Sequence, residues 1–173
     1  IAGRGVERTS LFLMNEPLLD RRLEDFTKYL KAREPKTVAV IFTNGALLDR
    51  RRAVALAEAG MDEIDVSMVG FDRATHDANM PGVGFDRVTE NMAEVADEMR
   101  RGGFGRMRFK VVGLEMPGVA AGVAAFRDRT GREVYLKACT NDGGHIDPAA
   151  LGVVNARSER PRACQRPFVK AYI

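Results

Sequence analysis

A repeating alternation of apolar strands and amphipathic helices constrains the fold of this chain more than any other feature of its sequence. The run 38–42 is short, apolar and bounded by polar residues, which is typical of a buried strand. Helical spacing is clearest further along the chain, at Phe85, Val88, Met92, Val95 and Met99. Successive strands joined by helices predict a parallel sheet, because parallel neighbours need a crossover connection.

The alternation predicts an α/β fold, built either as an open wound sheet or as an arc of a barrel. Five parallel strands are predicted, at about residues 9–14, 37–43, 63–69, 106–112 and 132–138. The first helix should bury one face, formed by Leu19, Leu23, Phe26 and Leu30, and Asp49 should cap the second helix. The long polar connection 71–84 is predicted to be a loop, and loops of that length are often functional.

Composition narrows the class of protein. A chain of 173 residues that is 45% hydrophobic and 29% charged is long enough for one domain and is not typical of a disordered protein. No apolar run approaches the roughly 20 residues that cross a membrane, and no signal peptide is visible, so we expect a cytoplasmic protein. The net charge of +3 is scattered, which does not favour a nucleic-acid partner.

Polar residues lie at or just after the ends of the predicted strands. Since the carboxyl ends of parallel strands share one edge of a sheet, where ligands bind in α/β folds, we expect these residues to lie together. They are Glu16, Asn44, Ser67, Glu115 and Cys139. Glu16 has two interpretations: its carboxylate could bind an ammonium group, or it could interact only with a helix dipole.

Three segments resemble motifs of the radical S-adenosylmethionine (radical SAM) enzymes. Residues 13–19 (LMNEPLL) resemble the family's GEPLL turn, residues 43–48 (TNGALL) resemble TNGxLL, and residues 57–67 resemble the strand motif that ends in Ser67. The resemblance runs from about Leu11 to Ile173. It implies a partial (β/α)6 barrel whose first strand, with the CxxxCxxC motif for a [4Fe–4S] cluster, is missing from this sequence. Because the sequence begins at Ile1, we expect it to be a fragment.

The resemblance also implies a function. The intact enzyme would cleave S-adenosylmethionine reductively to a 5′-deoxyadenosyl radical, with a flavodoxin or ferredoxin as electron donor. The radical would abstract hydrogen from a peptide or from a small aminocyclitol or sugar-like substrate. Glu16 would meet the methionine amino group of the cofactor. The complete set of cofactor-binding residues that we expect is Asn15, Glu16, Thr43, Asn44, Ser67, Val112 and Glu115.

We expect different roles for the two cysteines. Cys164, in a Cys-x-x-Pro-Phe pattern, resembles the first ligand of an auxiliary iron–sulfur cluster in a SPASM or twitch extension. The domain division expected from this is a partial barrel at 1–155 and, at 156–173, a linker and the start of the extension. Cys139 is predicted to be either a packed strand-end cysteine or a catalytic thiol that donates a hydrogen atom to a product radical.

Two other interpretations remain open from the sequence. The chain could be a non-catalytic relative, a binding module that has lost its cluster. It could also be an unrelated nucleotide-binding α/β enzyme. The nearest match to a dinucleotide loop, Gly103-x-Gly105, precedes a predicted strand instead of following one, so it lacks the context that this motif requires.

Overall fold

A computed structural model describes residues 6–12 and 15–138 of the chain. Strands and helices alternate throughout this part. The strands are β1 (Arg8–Ser10), β2 (Val38–Thr43), β3 (Glu63–Met68), β4 (Arg108–Leu114) and β5 (Val134–Lys137). The helices are α1 (Leu23–Arg33), α2 (Arg50–Glu58), α3 (Arg73–Asn79), α4 (Phe85–Arg100) and α5 (Val119–Thr130), with a 3-10 helix at Pro17–Leu19.

The five strands form one parallel sheet in the order β1-β2-β3-β4-β5, which confirms the predicted α/β class. In the described part of the chain the two edge strands, β1 and β5, do not pair with each other, so the barrel is not closed. Strands that follow one another in sequence order, joined by right-handed crossovers, place their helices on one side of the sheet. The sheet therefore has a helix face and an opposite face, which we call the inner face.

The hydrophobic core lies between the helix face and the helices. Ile41, Ile64 and Val66 on the strands are fully buried. They belong to the same cluster of apolar side chains as Val88 and Met92 of α4. The predicted periodicity of α4 is thus confirmed, since the residues at that spacing face the sheet.

Aspartate side chains accept backbone hydrogen bonds at the starts of α2, α3 and α4. The Asp49 side chain accepts a hydrogen bond from the Arg52 N–H at 2.7 Å, which confirms the predicted N-cap of α2. Asp72 caps α3 in the same way through the Thr75 N–H, and Asp77 accepts from the Phe85 N–H at the start of α4. The prediction of a loop at 71–84 is therefore wrong in part: the connection contains α3, whose short length and polar composition concealed it.

The predicted apolar face of the first helix is wrong in two places. Leu19 is 71% exposed and Phe26 is 45% exposed. A 3-10 helix ends at Leu19, and Asp20 is in an extended conformation before α1 begins at Leu23. Because the chain is not one continuous helix here, the 3–4 spacing does not carry Leu19 onto the buried face.

Some strand ends differ from the predicted ones. β1 ends at Ser10 instead of continuing to residue 14, although the Leu11 N–H still donates to the Val40 carbonyl at 2.9 Å. β4 and β5 each begin two residues later than predicted, because pairing with a neighbour, and not apolar character, sets where a strand starts. Within the described residues no helix is both long and apolar enough to cross a membrane. Residues 139–173, which include Cys139, Cys164 and the predicted linker, lie outside the described part.

Candidate functional site

The Glu16 carboxylate joins the turn after β1 to the turn after β2. Its Oε1 accepts hydrogen bonds from the Leu18 N–H at 3.1 Å and from the Thr43 hydroxyl at 2.6 Å. Its Oε2 accepts from the Asn44 N–H at 2.8 Å. Glu16 therefore does more than face a helix dipole: it caps the 3-10 helix and fixes the next turn. A carboxylate oxygen can accept a second hydrogen bond, so Oε2 keeps the capacity to bind an ammonium group.

The turn after β2 is held from several sides. The Thr43 hydroxyl accepts from the Gly45 N–H at 3.1 Å, and the Asn44 side-chain oxygen accepts from the Ala46 N–H at 2.9 Å. Gly45 has φ = +80°, and a Cβ at this position would lie 2.9 Å from a methyl group of Val66, so the turn requires glycine. The backbone of this turn is thereby fixed before any ligand binds.

Asn91, which the sequence analysis did not single out, supports the same turn from α4. Its side-chain amide donates to the carbonyls of Gly45 and Ala46 at 2.9 and 3.1 Å. Only a tertiary contact between α4 and the turn gives this residue its role, so no local motif could have identified it.

The other predicted cofactor residues lie at different places in the structure. Ser67 and Val112 are partners across β3 and β4, half-buried on the inner face near the carboxyl ends of the strands. Glu115 directly follows β4 and is exposed, and its N–H donates to the Lys137 carbonyl at 2.9 Å. Asn15 is exposed beside Glu16. The structure thus brings Glu16, Thr43 and Asn44 into one network and makes a pair of Ser67 and Val112.

A buried carboxylate lies at the amino end of β3, also on the inner face. Glu63 is 1% exposed and binds three cations: Arg8 through both oxygens at 2.8 and 3.1 Å, Arg108 at 2.9 Å and Lys110 at 2.7 Å. The hydrogen bonds from Arg8 lower the pKa of Glu63 to about 2, and those from Lys110 act in the same direction against the effect of burial. We call these four residues the Glu63 cluster.

Asp65 lies two residues further along the same strand and the same face. It is 5% exposed, and its Oδ1 has no hydrogen-bond partner within the described chain. Burial, followed by the nearby charge of Glu63, raises the pKa of Asp65, while Lys110 and Lys137 act against that rise. The sequence indicated only that this side of β3 is less apolar, and it gave no reason to separate Asp65 from Glu63.

Among the residues described, no group of three or more histidine, cysteine or acidic side chains could hold a metal ion. The whole sequence has two cysteines, whereas a [4Fe–4S] cluster needs three or four thiolates, so the residues of this chain do not fit such a cluster. The fixed turns fit a ligand with an ammonium group better, because Glu16 presents a half-buried carboxylate with remaining acceptor capacity.

Comparison with known proteins identifies the family. The model of the radical SAM superfamily matches residues 2–114, which contain the turns of Glu16 and Asn44 and all of β1 to β4. The chain belongs to the radical SAM superfamily.

Curated relatives match over shorter stretches. A GTP 3′,8-cyclase of Mycobacterium ulcerans is 43% identical over 63 residues, which cover 36% of this chain and 17% of that protein. A GTP 3′,8-cyclase of Chlorobaculum tepidum is 38% identical over 73 residues, covering 42% of this chain and 22% of that protein. The matched part is thus about a fifth of the length of these relatives.

A solved structure supports the fold. Streptococcus suis SuiB, bound to precursor peptide SuiA, aligns over 88% of this chain and 32% of its own, with a TM-score of 0.60 and 13% identity. The predicted fold and the predicted radical SAM family are confirmed by these findings. The alternative of an α/β protein unrelated to this family is wrong. The superfamily implies S-adenosylmethionine and a [4Fe–4S] cluster. The SPASM or twitch extension and the auxiliary cluster remain predictions.

Proposed function

We propose that this chain is the cofactor-binding part of a radical SAM enzyme. The observation that carries the proposal is the family match over residues 2–114, because it spans the two turns that Glu16 joins. In such an enzyme, S-adenosylmethionine supplies a 5′-deoxyadenosyl radical that abstracts hydrogen from the substrate. The task of this chain would be to bind and orient the cofactor.

Five of the seven expected cofactor residues have a defined part in this proposal. Glu16 would bind the ammonium group of the methionine moiety while it holds Thr43 and the Asn44 N–H in place. Ser67 and Val112 would line the position of the ribose and adenine on the inner face. Because the two cysteines of the chain cannot hold a [4Fe–4S] cluster, we assign no step at the cluster to these residues.

The substrate would be a peptide or a small aminocyclitol or sugar-like molecule, and the electron donor a flavodoxin or ferredoxin. GTP is a second candidate substrate, because the curated relatives of 43% and 38% identity are GTP 3′,8-cyclases. Cys139 as a hydrogen-atom donor and Cys164 as an auxiliary-cluster ligand stay predictions, and both residues lie outside the described part.

The test is the affinity of the chain for S-adenosylmethionine after Glu16→Gln. The substitution removes the charge that would bind the cofactor ammonium. A hydrogen bond to a charged group contributes about 1.5–3 kcal/mol, so we expect an affinity on the order of tenfold to a hundredfold lower. Calorimetric titration of parent and variant with S-adenosylmethionine measures this.

Glu16→Gln also weakens the network of the turns, so a matched control is needed. Thr43→Val removes the hydroxyl that donates to Glu16 and keeps both the carboxylate and the shape of the side chain. The variant also loses the acceptor of the Gly45 N–H, and we expect it to lose less affinity than Glu16→Gln because the charge of Glu16 remains. Equal losses in the two variants would mean that Glu16 acts only through the turn, and no binding by the parent would reject the proposal for this chain.

A further inference from the structure

Asp65 is a buried acid on the inner face that the cofactor site does not use. Its Oδ1 is shielded from solvent and has no hydrogen-bond partner in the described part of the chain. Its neighbour Glu63, in contrast, forms ion pairs with Arg8, Arg108 and Lys110. A buried carboxylate without a partner lowers stability, so a residue needed only for packing would be expected to be apolar here.

Three cations act on Asp65, of which Lys110, its partner on β4, and Arg8 are bound to Glu63, whereas Lys137 is not. Phe42, on β2, is the cross-strand partner of Asp65. The centres of the Phe12 and Phe42 rings are 5.2 Å apart. The ammonium of Lys137 lies 5.6 Å from the centre of the Phe42 ring, within the distance at which cations are attracted to aromatic rings. Lys137 is exposed and forms no ion pair with Asp65 in the described structure. Its ammonium is the cation that lies beside the Phe42 ring.

The position relates this acid to the proposed cofactor site. Asp65 and Ser67 lie on the same face of β3, two residues apart, which corresponds to about 6.6 Å along a strand. A group bound at Asp65 would therefore lie next to the residue that is expected to contact the cofactor.

We propose that Asp65 and the ring of Phe42 bind an ammonium group of the substrate on the inner face. The inference rests on the proposed function, since it places the substrate beside the cofactor. It predicts an amine-bearing substrate, such as a peptide with a free amino group or an amino sugar. On binding, the substrate ammonium displaces Lys137 from the Phe42 ring and becomes the hydrogen-bond donor that Oδ1 of Asp65 lacks.

The test uses butylammonium chloride as a probe and needs no substrate or cofactor. NMR spectra of the isotope-labelled chain follow the carboxyl carbon of Asp65 and the amides of Asp65, Phe42 and Lys137. We expect concentration-dependent shifts at these residues, and a lowered pKa of Asp65, with butylammonium but not with potassium chloride at the same concentration. Identical spectra in the two salts would overturn the proposal.

Three variants identify the binding group. Asp65→Asn should bind the probe at least about tenfold more weakly, because the charge-assisted hydrogen bond is lost. Asp25→Asn, at an exposed acid of α1, should leave the affinity unchanged. Lys137→Gln should bind at least as tightly as the parent, since the competing ammonium is gone. A loss of binding in Lys137→Gln, or equal losses in the two aspartate variants, would contradict the proposal.

The outcome is separate from that of the cofactor experiment. A chain that binds S-adenosylmethionine through Glu16 but shows no response of Asp65 to butylammonium would retain the proposed function and reject the ammonium site. A response of Asp65 in a chain without affinity for S-adenosylmethionine would retain a cation site and reject its role in that enzyme.

Discussion

Glu63 and Asp65 are two acids on one strand and one face, yet Glu63 has three hydrogen-bonded cations and Oδ1 of Asp65 has no hydrogen-bond partner in the described structure. Both are nearly inaccessible to solvent. Hydrogen bonds from Arg8, with support from Lys110, hold the pKa of Glu63 at about 2. Burial and the charge of Glu63 raise the pKa of Asp65. Glu63, at the amino end of the inner face, is therefore neutralised by ion pairs within the chain, whereas Asp65, in the middle, has an oxygen without a hydrogen-bond partner in the described structure.

This difference suggests that Glu63 stabilises the fold and that Asp65 binds a ligand. A buried acid that the protein itself neutralises contributes to the fold, because its partners are always present. A buried acid without such a partner lowers stability until a ligand supplies one. The following substitutions test whether the two acids differ in this way.

Replacement of Glu63 should have the largest effect. Glu63→Gln leaves Arg8, Arg108 and Lys110 without their common carboxylate, and we expect a loss of about 1–3 kcal/mol in the free energy of unfolding. Urea unfolding at neutral pH measures it. Glu90→Gln, at an exposed acid of α4, is the control and should change little. Unchanged stability in Glu63→Gln would show that the cluster is not stabilising.

The contribution of Glu63 to the free energy of unfolding should also decrease at low pH. Its pKa is lowered from 4.5 to about 2 in the folded chain, so its contribution is complete above pH 4.5 and is lost as the pH falls toward about 2. The stability difference between parent and Glu63→Gln should shrink over this interval. A difference that stays constant down to pH 2 would contradict the assignment.

Asp65→Asn should have a smaller effect of opposite sign. We expect the variant to be more stable than the parent by about 1 kcal/mol at neutral pH, because it removes a buried charge without a hydrogen-bond partner. The folded-state pKa of Asp65 is raised above 3.8, so the parent loses stability as the pH rises from below 3.8 through that raised pKa. The advantage of the variant should therefore grow over this window and then stay constant. A less stable variant would mean that Asp65 has a partner in the folded chain.

The smallest effect is expected from Arg108. Its side chain is 61% exposed, and Glu63 keeps Arg8 and Lys110 when Arg108 is replaced. Arg108→Gln should cost less than about 1 kcal/mol, as for other exposed ion pairs, and this cost should fall with added salt. Arg106→Gln, at an exposed position before β4, is the matched control. A loss as large as that of Glu63→Gln would show that the three cations act as one unit.

The sequence by itself determined the order of the elements and the local chemistry of the turns. Alternating apolar strands and helices predicted the parallel sheet, and the spacing of Val88, Met92 and Val95 predicted the buried face of α4. Asp49 was identifiable as a helix cap because a cap depends on residues next to it in the chain. The polar ends of the strands marked the edge of the sheet that holds the candidate site.

Only the tertiary structure decided which of these polar residues meet. The bond between Glu16 and Thr43 spans 27 positions of the sequence, and that between Arg8 and Glu63 spans 55. Such contacts depend on the register between strands, which is set when the whole apolar face is buried at once. Glu63 and Asp65 are both acidic positions in the same short segment, and the sequence treats them alike. Their opposite roles follow from the side chains that neighbouring strands bring to each of them.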